Sequence, residues 1–536
     1  MLRKLFSIVL FCFFGACFCS EINWSLPYDV SEAGESAAEC KIAMNDHDQA
    51  IALWRRFNGS EYVIQTAYSI DGGNSWSSPY DLSSAAGQAR SNQIAINQKG
   101  EAIAVWIRDN GSDYVVQESH SPDGGMNWSL AKDLSVVVPT LEARAPQIAI
   151  DENSNAIAVW YRSNGTYNII RESHSFDAGD HWSPPQDLSL GGPPGGNAFD
   201  PQIAFNNNSQ AIVVWYRDDG SNRIVQETHS FDLGVNWTTP PQDLSLGGPP
   251  GGDALLAGIA MNESGEAVAI WRRDNGTNII IQESYSSDAG VNWSTPPQDL
   301  SLGGPPGGNA DRPQVAMNDN GLVITIWYRD DGSNRIIQEA HSLDAGVHWT
   351  IPQDLTETGY DAYLPQIQLS NNNEAIAAWF RFDGFNTRAQ SSYSANGGTS
   401  WITQTLSEGG KTAHDTQVAI NESSQTIIMW EKQDDALDYI LQTSFGLLKG
   451  AFEVNYQQYI LRTLLQKALI NRLSWDSVPG SAYYKVFADS ALSQIIYLGS
   501  ERVFSDRIKR GESKTYYVVW VDSFGNESPP VIVNIP

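Results

Sequence analysis

Serine and aspartate recur along this chain at fixed offsets, and recurring oxygens are the usual raw material of a cation site. Seven strings share the pattern Ser-x-Asp-x-Gly-x-x-Trp: SIDGGNSW (69–76), SPDGGMNW (121–128), SFDAGDHW (175–182), SFDLGVNW (230–237), SSDAGVNW (286–293), SLDAGVHW (342–349) and SANGGTSW (394–401). Their acids are Asp71, Asp123, Asp177, Asp232, Asp288 and Asp344, with Asn396 in the last copy. One carboxylate per copy falls short of the roughly six to eight oxygens that calcium takes, so no metal is expected there. Turn building is the plainer use: Asp and Ser bond to backbone N–H groups, glycine allows positive φ, and tryptophan anchors the turn by burial. A second regular set is Trp-x-Arg, at Trp54–Arg56, Trp106–Arg108, Trp160–Arg162, Trp215–Arg217, Trp271–Arg273, Trp327–Arg329 and Trp379–Arg381, with Lys432 closing the eighth copy after Trp430. Such cations could crown an anion site. The plainer reading pairs each with an acid of the following run, such as Glu118, Glu172, Glu227, Glu283 or Glu339.

The elements that carry these residues follow from the repeat, whose period is 52 to 56 residues. In PQIAFNNNSQAIVVWYRDDGSNRIVQETHS (201–230), QIAF, AIVVWYR and RIVQETHS are short β-rich runs, and WTTPPQDLS supplies a fourth after the tryptophan. Asn-Gly and Asp-Gly pairs, from Asn58–Gly59 to Asp383–Gly384, mark hairpins between the second and third runs. Four short strands per unit is the signature of a β-propeller blade. Eight Trp-x-Arg/Lys triplets give eight units. The eighth ends at YILQTSFG (439–446) without a fourth run, and the orphan INWSLPYDVS (22–31) matches the missing piece. Pairing the two would close a ring and remove both exposed edges. The expected fold is therefore all-β: an eight-bladed β-propeller over 21–446 closed by N-/C-terminal strand exchange, with seven blades as the alternative.

The repeated string resembles the Asp-box, or BNR repeat, of bacterial and animal sialidases and other secreted propellers. The resemblance implies a motif between the third and fourth strands, on the face opposite the active site. Function is then expected where the units differ, just before the first runs: Arg90, Arg144, Asp200, Asp311, Arg312, Tyr360, Asp361, Tyr363, His414 and Asp415. Sialidases hold a carboxylate with three arginines and use a tyrosine nucleophile; carried over, these become Arg90, Arg144 and Arg312 with Tyr360 or Tyr363. The chain departs from that family. Its ARAP (143–146) and DRPQ (311–314) match the family's Phe/Tyr-Arg-Ile-Pro only loosely, and sialidases have six blades. The main expectation is accordingly a noncatalytic binding or adhesion-type protein recognising a glycan or protein, with no cofactor. A sialidase-like glycoside hydrolase and a structural surface protein are the alternatives. Three SLGGPPGGN/D stretches (189–197, 245–253, 301–309) are either a binding rim or spacers.

Composition sets the surroundings. MLRKLFSIVLFCFFGACFCS (1–20) has the layout of a secretory signal, and FGAC makes Cys17 a candidate for lipidation, so the protein is expected to be exported, with a possible lipid anchor and no transmembrane span. Cys40 is the one cysteine beyond that segment, which excludes an internal disulfide framework. A formal charge of −29 disfavours nucleic acid and anionic lipid as partners. After a connector (447–470), residues 471–536 resemble a fibronectin type III domain on Trp475, Pro479–Gly480 before YYKVF, and the Tyr–Tyr strand followed by DSFGNES.

Overall fold

A computed structural model describes residues 22–535 apart from 33–35, 85–86, 110, 112, 136–140, 191–195, 246–251, 302–307, 435–437, 448–453, 463–466, 476–480, 489–492, 509–513 and 523–530. The signal segment with Cys17, and most of each Gly-Pro-rich stretch, lie outside the described residues. Among the described residues every element is a strand, and no helix is long and apolar enough to cross a membrane. Internal contacts divide the chain into Trp24–Leu447 and a second unit that contains Leu448–Pro536.

The first unit consists of repeated antiparallel sheets of the kind that propeller blades are made of. Sheet three is representative, with strands Ala143–Ile150, Ala156–Ser163, Asn168–Ser175 and Gln186–Asp187 in sequential order. Sheets one, two and four to seven repeat this order, beginning at Ala37, Gln88, Ala198, Ala254, Ala310 and Ala362. The eighth has five strands, among them Ala413–Ile420, Gln425–Gln433 and Tyr439–Leu447, and its further partners include Tyr28–Asp29 from the opposite end of the chain. That seam is more than two paired residues. Ser25 and Val30 donate their amides to Phe445 and Leu441 carbonyls (both 2.8 Å), and Ser31 Oγ accepts the Leu441 amide (2.8 Å).

Alternation along the second strands explains the core. In sheet three Ala158 and Trp160 pack against Ile103, Val105 and Val116 of sheet two, while Ile157 and Val159 pack against Ala198, Val213 and Trp215 of sheet four. The eight tryptophans of the Trp-x-Arg triplets are fully buried. Truncating one such ring to alanine costs about 3–5 kcal/mol.

The recurring Ser-x-Asp turn joins the third and fourth strands. Ser230 Oγ accepts the Gly234 amide (3.1 Å) and donates to Asp232 Oδ1 (2.9 Å). Asp232 in turn accepts the Asn236 amide (2.8 Å) and Nδ2 (2.7 Å). Although burial pulls the Asp232 carboxyl upward, the bonds from Asn236 and Ser230 hold it below the usual carboxylate range. The turn also reaches its neighbour. In one case its tryptophan bonds to the buried third-strand glutamate of the preceding sheet, Trp401 Nε1 to Glu339 (3.4 Å), while Glu172 is held by His174 (3.4 Å) and Gln186.

Those glutamates are consequently not the partners of the Trp-x-Arg cations, contrary to the pairing expected from sequence. Register is the reason: Glu172 stands opposite Val159, whereas Arg162 stands opposite Ile169. Arg56 and Arg108 lie against the fourth-strand acids Asp81 and Asp133 (3.9 Å each), and three others reach the chain after the fourth strand of the preceding sheet. Arg217, Arg273 and Arg329 donate to the carbonyls of Ser189 (2.7 Å), Ser245 (2.6 Å) and Ser301 (2.8 Å).

At the end of the sheets that carries the Ser-x-Asp turns, the hairpins between first and second strands are linked by an amide hydrogen bond that recurs in every sheet. The amide of Asp46 donates to Gln98 (2.8 Å), Gln98 to Glu152 (2.9 Å), Glu152 to Asn207 (2.7 Å) and Asn207 to Glu263 (3.0 Å). Glu263 donates to Asp319 (3.1 Å), Asp319 to Asn371 (2.9 Å), Asn371 to Glu422 (3.0 Å), and Glu422 back to Asp46 (2.8 Å).

The second unit has a three-stranded sheet (Val454–Arg462, Lys467–Trp475, Val503–Ile508) and a four-stranded one (Ser481–Phe487, Ile495–Gly499, Lys514–Asp522, Val531–Ile535). Leu473 from the first and Tyr484, Val486, Tyr516 and Val518 from the second share one core. The stretch expected to be a connector supplies the first strand and the start of the second.

Candidate functional site

Every first strand of the large unit breaks register with its neighbour at one point. In sheet three Arg144 faces Tyr161, and the next pair is Gln147 with Val159. The residue at the break has positive φ in all eight sheets: Glu39 (55°), Ser91 (53°), Ala145 (50°), Asp200 (50°), Leu256 (54°), Arg312 (57°), Leu364 (47°) and Asp415 (49°). None is glycine, and a left-handed L-residue costs roughly 1–2 kcal/mol. Bulges of this kind re-aim side chains and collect beside functional sites.

The bulge corrects the placement expected from sequence. Apart from Tyr360 and Asp361, the unlike residues do not precede the first strands; they lie within them, at the break or just before it. The break interrupts the two-residue alternation, so the sequence pattern shows only the later half of each strand.

The residue before each bulge pairs with the middle residue of Trp-x-Arg, a position filled by Arg55, Ile107, Tyr161, Tyr216, Arg272, Tyr328, Phe380 and Glu431. That middle side chain then meets the pre-bulge residue of the next sheet. Tyr161 packs edge-on against Phe199 (5.3 Å between centroids), which stacks on Tyr216 (5.4 Å). Arg272 pairs with Asp311 (2.7 Å), Tyr328 packs edge-on against Tyr363 (6.5 Å), and Phe380 against His414 (5.3 Å). The last sheet meets the first where Cys40 Sγ donates to the Asp415 carbonyl (3.1 Å), beside the buried carboxyl of Glu431. Burial, with Asp415 adding to it, pushes Glu431 up to about 8.

Cations are stacked into the same belt. Tyr114 lies under two guanidinium groups, Arg90 at 4.2 Å and Arg144 at 4.4 Å from its ring centre. Arg335 covers Tyr363 (5.1 Å) and Tyr328 (5.5 Å). Several are also held by carboxylates, including Arg55 by Glu39 (3.1 Å) and Arg144 by Glu142 (2.6 Å).

The five residues singled out as sialidase-like do not form one cluster. Arg90 and Arg144 come together on Tyr114. Arg312 is exposed, its amide donates to Asp311 Oδ1 (2.7 Å), and its charge acts on Asp200 and Tyr328. Tyr363 donates to Asp361 Oδ2 (2.9 Å), and burial followed by that bond holds its hydroxyl above the usual range. Tyr360 lies ahead of its first strand, exposed, against Phe382. Elsewhere in the belt burial, reinforced by Asp200, pushes the Tyr216 hydroxyl to about 12. No group of three or more His, Cys, Asp or Glu side chains among the described residues could hold a metal ion.

Sequence reasoning missed Tyr114, Tyr161, Phe199, Tyr216, Tyr328 and Phe380. A signal for several of them was present: the middle of Trp-x-Arg is the one position of that triplet that keeps changing character.

No family model and no curated protein matches this chain. Among solved structures it is similar to an ulvan lyase described as a new polysaccharide lyase family (9% identity, TM-score 0.43, 71% of this chain and 95% of that one). It is also similar to the intramolecular trans-sialidase of Ruminococcus gnavus (13%, TM-score 0.39, 68% and 96%) and to a protein of unknown function from Dyadobacter fermentans (13%, TM-score 0.37, 58% and 95%). Identities of this size leave the site to be read from its own residues.

Proposed function

We propose that the eight sheets are the blades of an eight-bladed propeller closed by the pairing of Tyr28–Asp29 with the last sheet, and that its bulge-bearing face binds a glycan without cleaving it. The observation that carries this reading is the belt of half-buried aromatic rings, several of them tied to the next sheet, at the positions where the repeats diverge. A half-buried ring presents an apolar face with negative quadrupole, suited to the C–H face of a sugar. Around it stand fixed donors and acceptors for hydroxyl groups. The Ser-x-Asp turns, which we read as Asp-boxes, occupy the opposite end and spend their side chains within the fold. With its secretory-type start, the protein is read as exported, with the fibronectin-like module as a spacer or contact surface.

One feature favours the sialidase-like alternative, the bond from the Tyr363 hydroxyl to Asp361. Against it stand the raised pKa of that hydroxyl, where a nucleophile needs a lowered one, and the separation of Arg312 from the Arg90–Tyr114–Arg144 stack. The test is a glycan array run beside a fluorogenic sialoside assay. Retention on glycans without turnover is expected, and Phe199→Ala together with Tyr363→Ala should weaken retention at least tenfold. Sialoside turnover that disappears in Tyr363→Phe would overturn the noncatalytic reading.

A further inference from the structure

Beside the Arg90–Tyr114–Arg144 stack lies a polar pocket of about 190 Å3, lined by Glu142, Arg144, Tyr161, Ser163 and Asn168. Drug-sized sites run to about 300–1,000 Å3, so this one suits a single ring of a longer chain. Its charged groups are already matched. Arg144 Nε (2.8 Å) and Nη2 (2.6 Å) both donate to Glu142 Oε2. Outside that pair Arg144 keeps its Nη1 donors and Glu142 keeps Oε1 as an acceptor. Of two neighbouring hydroxyl groups, one can accept from the Nη1 donors and the other can donate to Oε1. Ser163 and Asn168 add groups of the same mixed character, and Tyr161 supplies an apolar wall.

We propose that this pocket is a subsite for one unit of a neutral polysaccharide, with the Arg144–Glu142 pair reading two adjacent hydroxyls. This presupposes the glycan-binding face proposed above and adds the class of glycan. An acidic sugar is disfavoured twice. The guanidinium that would hold its carboxylate is engaged by Glu142, and the chain's formal charge of −29 repels polyanions at a distance. The pairing of Arg55 with Glu39 and Arg272 with Asp311 extends the same charge balance along the belt.

Affinity electrophoresis of the full chain through gels holding galactomannan, xyloglucan, polygalacturonate or chondroitin sulfate tests this. Retardation by a neutral polymer and not by the two acidic ones is expected. Arg144→Leu should lower the neutral affinity at least tenfold; should that variant fail to fold, Asn168→Ala at the pocket wall serves in its place, with at least a threefold loss. Glu142→Gln releases the guanidinium and should gain measurable retardation on polygalacturonate. Ile351→Ala, on an exposed site away from the belt, should bind as the unchanged protein does. Equal or stronger retardation of the unchanged protein by an acidic polymer would overturn the neutral assignment and leave the glycan-binding face standing. Neutral binding undiminished in a folded Arg144→Leu or Asn168→Ala variant would overturn the pocket. Retardation by no polymer would bring down the glycan-binding reading together with the subsite.

Discussion

At the scale of single residues, the side chains that repeat and those that vary do different kinds of work. The repeated glutamates are buried between sheets, and burial raises Glu118, Glu172, Glu227 and Glu283. Glu283 is pushed up to about 8, with Trp349 as the partner that opposes the rise. An unfolded carboxyl titrates near 4.5, so between 4.5 and about 8 the unfolded chain loses a proton that the folded one keeps. Stability contributed this way is full below 4.5 and is lost as pH rises towards 8. The Ser-x-Asp aspartates work in the opposite sense, since Asp177, Asp232 and Asp344 are lowered below 3.8 and fail only in stronger acid. The melting temperature should therefore be highest in mild acid, near pH 5, and fall steadily to pH 8. Glu283→Gln should flatten that descent in a series of thermal scans; a profile rising from pH 5 to 8 would contradict the account.

At the scale of elements, the bulge separates what the sequence made legible from what it hid. The repeat period, the hairpin Asn-Gly pairs and the Trp-x-Arg runs were readable because each obeys a local rule of spacing. The first halves of the first strands were not, because Ala145 and its counterparts turn left-handed and break the alternation by which a strand is recognised. Arg90, Arg144 and Tyr363 were thus found as unlike residues and placed just outside the strands that carry them. Their partners Tyr161 and Tyr328 were hidden differently, inside runs explained by burial alone. If the bulge is strained, glycine should relieve it. Ala145→Gly is expected to raise stability by about 0.5–1 kcal/mol in denaturant titrations, since glycine adopts φ of 50° without the Cβ penalty. A comparable loss would show that the surrounding packing, rather than the local backbone, sets the cost.

At the scale of the whole large unit, the eight amide links between hairpins run from Asp46 through Glu422 and back to Asp46, which supports the closed propeller proposed above. Among the described residues of this unit the sheet order departs from sequence order at the seam that includes Tyr28–Asp29. A circular permutant that joins residue 447 to residue 22 through a short linker, and opens between Asp133 and Glu142 instead, is expected to fold with a melting temperature within a few degrees of the parent. A permutant that melts far lower would mean that the native seam has properties the other junctions lack. The seam also has a mechanical consequence. Two ends anchored in one sheet share a single clasp, so tension applied to them loads the N-terminal pairing with Tyr439–Leu447, from Ser25 to Ser31, before the other sheets. Under a stretching force the large unit should yield first at that clasp, with the other seven sheets still intact, and the closed propeller proposed above would open as a belt does at its buckle.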